Sequence, residues 1–229
     1  LVRSLEAEEQ MSKLFTFRIE MISEEPALDH DEIINKRVNI GIKQSDGSSE
    51  RHFNGFVSDF WQGEPEDHYY TYHATVVPWL WFLTRSSDCR IFQEMTVPDI
   101  IEEVFGDFGF SDYELDLQGN HPEREYCVQY RESAFNFVSR LMEEEGMFYG
   151  FRHEDGRHTL VIADHKGAYV DCPENEIEYH PGSLTAAHIS QWEHRYAYRS
   201  GRWAQTASST VRMESESRNT PVACSSRAG

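Results

Sequence analysis

YCVQYRESAFNFVSRLMEEEGMFYGFRHEDGRHTLVIAD, residues Tyr126 to Asp164, is the stretch that decides the fold class. Ser133 is placed to cap a helix on which Phe137, Val138, Leu141 and Met142 share one face, and Gly146 supplies a left-handed exit. The apolar period then changes from about 3.6 to 2. MFYGFRHEDGRHTLVIAD reads as two alternating strands joined around Asp155-Gly156, a dipeptide suited to a tight hairpin turn. A capped helix running straight into a hairpin points to helices inserted into a β protein.

The upstream sequence agrees. From Leu14, LFTFRIEMI alternates, with Phe15, Phe17, Ile19 and Met21 on one face and Thr16, Arg18 and Glu20 on the other, as in a half-buried strand. Asp29 to Lys36 predicts a short helical turn capped by Asp29, with Glu32 three residues on as a capping box requires. Val38, Ile40 and Ile42 resume the alternation, Asp46-Gly47 marks a turn, and Phe53 to Trp61 forms the return strand. YYTYHATVVPWLWFL, from Tyr69 to Leu83, is rich in aromatic and β-branched residues that suit a buried sheet, with a strand end or bulge at Pro78. Thr96 caps a further helix, with Pro98 and Asp99 in its first turn, Val97, Ile101, Val104 and Phe108 on its stripe, and Gly106 and Gly109 available to end it. Leu184 to Ile189 and Gln191 to Tyr198 look strand-like, and from Ala207 the composition collapses to Ser, Arg, Thr and Ala, as in an unstructured tail. The expected class is mainly β with inserted helices (α+β), and no repeat of fixed period suggests a solenoid or propeller.

Composition narrows the function. The 229 residues carry 21 Lys and Arg against 40 Asp and Glu, a formal charge of −19, which repels phosphate backbones and anionic lipid heads. Nucleic-acid binding and stable membrane insertion are therefore not expected, and the apolar run Thr75 to Leu83 is about half of the roughly 20 residues a spanning helix needs. LVRSLEAEEQ lacks the basic and apolar regions of a Sec-type signal, so synthesis in the cytoplasm is expected. Cys89, Cys127, Cys172 and Cys224 are too scattered for a zinc finger and read as reduced thiols.

Catalytic signatures are sparse. His153-Glu154 and His158 stand five residues apart across a turn, whereas a zinc protease needs two imidazoles four apart on one helix face; exposed hairpin histidines are expected, with no metal. GxSxG, phosphate-loop and dinucleotide-loop patterns are missing, so no cofactor is expected. Glycan hydrolysis needs a pair of carboxyls a few ångströms apart, but the sequence selects none among the 40 carboxylates, and the aromatic run Tyr69 to Phe82 fits a sheet interior better than a sugar platform. Glu143, Glu144 and Glu145 demand an account, because carboxylates at a helix C-terminus oppose its dipole at roughly 0.3–1 kcal/mol each. Two readings answer it: pairing with Arg140 or Arg152, or a subunit or partner surface that supplies cations.

PWLWFLTRSSDCRIFQEMTVPDIIEEVF (Pro78 to Phe105) and the Tyr126 to Asp164 stretch resemble VgrG, the valine-glycine repeat spike proteins of type VI secretion. RIFQ, TVPDII, YCVQYRES, EEEG and HEDGRHTL occur in that family's order and spacing, and the similarity covers roughly residues 5 to 205. The resemblance implies phage tail hub-like β-barrel subdomains: a first at 1–92, a helical insertion at 93–146, an incomplete second at 147–206, and a tail outside the family pattern at 207–229. A frameshifted or vector-derived end would explain that tail. It also implies a non-enzymatic homotrimer that docks on the hexameric Hcp tube and baseplate components and is secreted through the type VI apparatus. A PAAR-type tip and effectors would be carried only through a C-terminal region beyond this one. Two barrels per subunit in a threefold ring would match a sixfold tube. The alternatives are a contractile phage tail hub similar to late control proteins and, from another class, a cell-wall glycan hydrolase.

Overall fold

Strands β1 (Val2–Glu8), β2 (Thr16–Ser23), β3 (Arg37–Lys43), β4 (Glu50–Glu66) and β5 (Tyr69–Val77) form a five-stranded antiparallel sheet in the order β1-β2-β5-β4-β3. The computed structural model describes residues 1–43, 50–66, 68–169, 178–181, 189 and 192–194. The alternation read in β2 holds: Phe15, Phe17 and Ile19 are buried, and Arg18 is exposed. Strand β4 slips register against β5 between Val57 and Asp59 and again between Gln62 and Pro65. Such bulges add twist and bend, so this long strand curls the sheet around its apolar face. Gly55 lets β4 and β5 approach closely, since a Cβ there would lie 2.5 Å from Val76 Cγ1 and 2.8 Å from the Val77 carbonyl.

Pro78 ends β5, but the aromatic run does not continue as sheet. Trp79–Arg85 is a 3-10 helix that buries Trp79, Leu80 and Leu83. The composition reads as strand because it is apolar; Pro78 supplies no backbone N–H to a ladder, and the Trp79 N–H goes to a side chain instead. The chain continues through β6 (Asp88–Phe92), helix α1 (Val97–Asp107), β7 (Tyr113–Asp116), β8 (Cys127–Glu132), helix α2 (Ala134–Glu144), β9 (Phe148–Glu154) and β10 (Arg157–Ala163). Strands β6 and β8 pair as a ribbon, and β7-β10-β9 form a three-stranded sheet in which β7 and β10 run parallel.

Both helix caps occur as read. Thr96 and Asp99 make a reciprocal capping box, and the Ser133 hydroxyl accepts from the Asn136 N–H. On α1 the buried stripe includes Ile100 and Phe105, while Phe108 sits at the C-cap and is only partly buried. The turn at Asp29 is smaller than predicted: a 3-10 helix spans His30–Glu32, and the Asp29 carboxylate accepts from the Asp31 N–H rather than from Glu32. Gly146 (φ +72°) and Gly156 (φ +73°) take the left-handed conformation at the helix exit and hairpin turn.

One apolar core joins α1, α2, the 3-10 helix at Trp79 and β10; a second fills the concave side of the five-stranded sheet; and Phe151 packs against both. Leu1–Val170 form one compact unit, inside which the expected boundaries at 92/93 and 146/147 fall. The second unit is Asp171–Gly229, where Tyr179 and Ile189 make a parallel bridge. Asp46-Gly47, most of Leu184 to Tyr198, and everything from Ala207 lie outside the described residues.

Candidate functional site

The last turn of α2 places Glu143, Glu144 and Glu145 at its C-terminus, where Gly146 turns the chain away into β9. Arg124 answers two of them, with Nη1 donating to Glu144 Oε2 at 2.7 Å and Nη2 to Glu145 Oε1 at 2.6 Å. Paired backbone hydrogen bonds between Arg124 and Met95 hold that arginine in place. Arg140 reaches Glu144 at 3.2 Å over one helical turn and Glu132 at 2.8 Å. Arg152 does not join the cluster: it pairs with Glu114 of β7, across the central strand β10, and with Glu154 of its own strand.

His121 adds a cation that the sequence reading missed. Its Nδ1 lies 3.0 Å from Glu145 Oε2, and its Nε2 lies 3.1 Å from Asp164 Oδ2. Asp164 also accepts from the N–H groups of Gln118 (2.9 Å) and Gly119 (2.7 Å). The hydrogen bond that His121 donates to Glu145 raises the His121 pKa against the pull of burial, with Asp164 adding to the rise. Burial opposes ionisation of Glu145, yet Arg124 and His121 carry its pKa below the usual carboxylate range. The Gln118 N–H does the same for Asp164, against a smaller burial effect and with help from Gly119 and His121. Local pairing thus offsets the dipole cost at Glu144 and Glu145, whereas Glu143 is exposed and has no ion pair among the described residues.

The hairpin histidines are not the exposed pair that was expected. His153 and His158 stand directly across from one another on the inner face of β9 and β10, with rings 6.0 Å apart; His158 is fully buried. The Trp79 N–H donates to His158 Nε2 at 3.0 Å, and His158 Nδ1 donates to Asn54 Oδ1 at 2.9 Å. Asn54 in turn donates from Nδ2 to the Val38 carbonyl and from its backbone N–H to His153 Nδ1, whose Nε2 reaches Glu9 Oε1 at 2.9 Å. All four ring nitrogens are occupied, so neither imidazole has a lone pair free for a metal. Asp29, His30 and Asp31 form a metal-compatible trio, but it is an exposed turn in which Asp29 already serves as a cap.

Two surfaces suit contact rather than chemistry. The β6–β8 ribbon turns Ile91 and Tyr130 outward, with Tyr126 exposed beside them. An open, mainly apolar groove of about 880 Å³ is lined by Met11, Phe148, Tyr149, Phe151 and Tyr169. Its carboxylates are engaged: Glu114 with Arg152, Glu9 with His153, and Asp116 with His165.

Residues 8–225 match the phage tail baseplate hub (GPD) family. The chain belongs to that family. This hub domain is 44% identical over 208 residues to the type VI secretion system spike protein VgrG1b of Pseudomonas aeruginosa, covering 90% of this chain and 28% of the relative. It is 46% identical over 184 residues to VgrG1c of the same organism, covering 80% and 25%. The solved structure of the E. coli c3393 protein, a type VI secretion component with structural similarity to the T4 tail proteins gp27 and gp5, superposes with a TM-score of 0.65 at 22% identity. That superposition covers 78% of the hub domain and 51% of the solved chain and supports the mainly β hub fold. The hub domain thus spans under a third of the length of these spike proteins. The family match runs past Thr206 into the stretch that composition had set apart.

Proposed function

We propose that this hub domain is the structural base of a type VI secretion spike, which assembles as a homotrimer and docks on the Hcp tube and baseplate. The observation that carries the reading is 44–46% identity to type VI spike proteins over 80–90% of the chain. Function then resides in rigid apposed surfaces, and the energetics are those of a subunit interface. The apolar groove and the outward aromatics of the β6–β8 ribbon are surfaces of the kind such contacts bury. Glu143, with the open side of Glu144, is the part of the acidic turn left for a partner's cations, while Glu145 serves the fold. A tip and effectors would be carried by the remaining length of the spike proteins, and export would follow the type VI route.

A non-enzymatic role also fits the groove. Glycan hydrolysis needs one protonated carboxyl beside an ionised one. Glu114, however, is held below the usual range by the Arg152 hydrogen bond. The phage tail hub alternative has the family's own name in its favour and would be distinguished by neighbouring sheath and tube genes. Size-exclusion chromatography with light scattering, with and without Hcp, tests the proposal. A mass of three times 26.7 kDa and co-elution with Hcp are expected. A monomer indifferent to Hcp would refute the reading, and clearing of purified cell wall would replace it with the hydrolase.

A further inference from the structure

The loop between β7 and β8, Leu117 to Tyr126, has little regular structure beyond its bridge to Met95, yet it is fastened at a largely buried point. His121, Glu145 and Asp164 have side chains only 9%, 17% and 7% exposed. An ionised carboxylate only accepts hydrogen bonds, so a ring nitrogen facing one must carry a hydrogen. Both nitrogens of His121 face carboxylate oxygens, at 3.0 and 3.1 Å, which requires the imidazolium. Protonating a carboxyl instead is disfavoured, because it would cancel the negative charge that its other partners face. Glu145 holds the Arg124 guanidinium, and Asp164 holds two backbone N–H groups. The fit around Asp164 is tight, since a Cβ on Gly119 would lie 2.7 Å from Asp164 Oδ2.

We propose that Glu145–His121–Asp164 is a proton-operated latch that locks the Leu117–Glu123 part of this loop onto the ends of α2 and β10 and releases it when His121 loses its proton. The charged groups facing the ring are Glu145 from the end of α2 and Asp164 from the end of β10, with Arg124 behind Glu145 and bridging it to Glu144. Neutral imidazole keeps one N–H, so one nitrogen lone pair is left pointing at a carboxylate oxygen and that tether becomes repulsive. The two nearest carboxylates favour the proton and burial opposes it, so release occurs on the alkaline side of an ordinary histidine. Arg124 keeps its bonds to Met95 and Glu144 in either state, so the release is confined to Leu117–Glu123.

The test uses the full chain with isotope-labelled histidine, titrated from roughly pH 5.5 to 9 while ring nitrogen shifts and the Gln118 and Gly119 amides are followed by NMR. Both His121 nitrogens should be protonated at pH 6.5, the ordinary histidine midpoint. The two amides should move with the same, higher midpoint, and their exchange protection, corrected for intrinsic rate, should fall about ten-fold or more across it. Asp164→Asn should lower the midpoint, and His121→Gln should leave loop exchange the same at both ends of the range. A ring midpoint at or below the ordinary value, amides that do not follow the ring, or an unchanged midpoint in Asp164→Asn would overturn the latch. If His121→Gln does not fold, the titrations of the unaltered chain and of Asp164→Asn decide the matter.

Discussion

His158 and His121 are both buried imidazoles with two hydrogen-bond partners, yet the fold asks opposite charges of them. His158 has one donor partner, the Trp79 N–H, and one acceptor partner, Asn54 Oδ1, which fixes a neutral ring. His121 has two carboxylate acceptors, which fix a cation. Burial lowers the His158 pKa to about 3, with His153 and Arg37 adding to the effect, whereas Glu145 and Asp164 raise that of His121. What a buried histidine does is thus set by the donor or acceptor character of its neighbours more than by depth. The neutral histidine ties the five-stranded sheet to the β9–β10 hairpin; the charged one ties a loop to a helix end.

The largest expected effect comes from breaking the neutral site. His158→Phe leaves the Trp79 N–H and Asn54 Oδ1 without their partner inside the core, and each unsatisfied buried group costs about 1–3 kcal/mol. A loss of roughly 2–5 kcal/mol in denaturant-induced unfolding is expected. A loss under about 0.5 kcal/mol would mean that the network contributes little.

The second prediction uses pH. The His158 pKa is lower in the folded chain than the ordinary 6.5, so its contribution is complete above pH 6.5 and is lost as pH falls toward the folded value of about 3. Over the first one and a half units the loss is about 2 kcal/mol, before most carboxylates titrate. His121 has the opposite sign: its raised value gives a contribution that is present below pH 6.5 and lost as pH rises through the folded midpoint. Unfolding measured across pH should therefore show a stability maximum, with His158→Phe flattening its acid limb and His121→Gln its alkaline limb. Flat limbs in the unaltered chain would dissolve the contrast between the two sites.

Local signals were legible in the sequence and distant ones were not. Thr96, Asp99 and Ser133 sit within three residues of the groups they cap, so both helices could be read, as could the Arg140 to Glu144 pair on one helix face. Strand β1 was missed because VRSLEAE is exposed at nearly every position, as an edge strand covered on one side can be. Strands β6, β7 and β8 are four to six residues long, too short to establish a period. Exposed histidines were expected beside Asp155-Gly156 because the turn is local, while the partner that buries His158, Asn54, is 104 residues away. Arg124 and His121, which neutralise the acidic turn, are likewise at least 20 residues from the glutamates they meet.

Arg124→Gln sharpens the comparison on the charged side. Its guanidinium is about a quarter exposed, so solvent screens the pair and a stability loss of only about 1 kcal/mol is expected. Without it, His121 becomes the sole cation on Glu145, and the His121 midpoint should rise further. A fall in that midpoint would show that the arginine orders the site more than it competes for it.

The smallest effect on folding is expected at Glu143, and for that reason it separates fold from assembly. Glu143→Gln removes a carboxylate that opposes the α2 dipole and has no ion pair among the described residues, so monomer stability should change by no more than about 0.5 kcal/mol. Three copies of a chain with charge −19 repel one another, so self-association should strengthen with added salt unless interfacial cations dominate. If Glu143 meets a partner's cation, its neutralisation weakens association and reduces the salt response while leaving unfolding untouched. If it merely adds to the repulsion, association strengthens instead. Sedimentation at low and high salt distinguishes the two, because the sign of the change, and not its size, says whether the acidic turn faces a partner or only water.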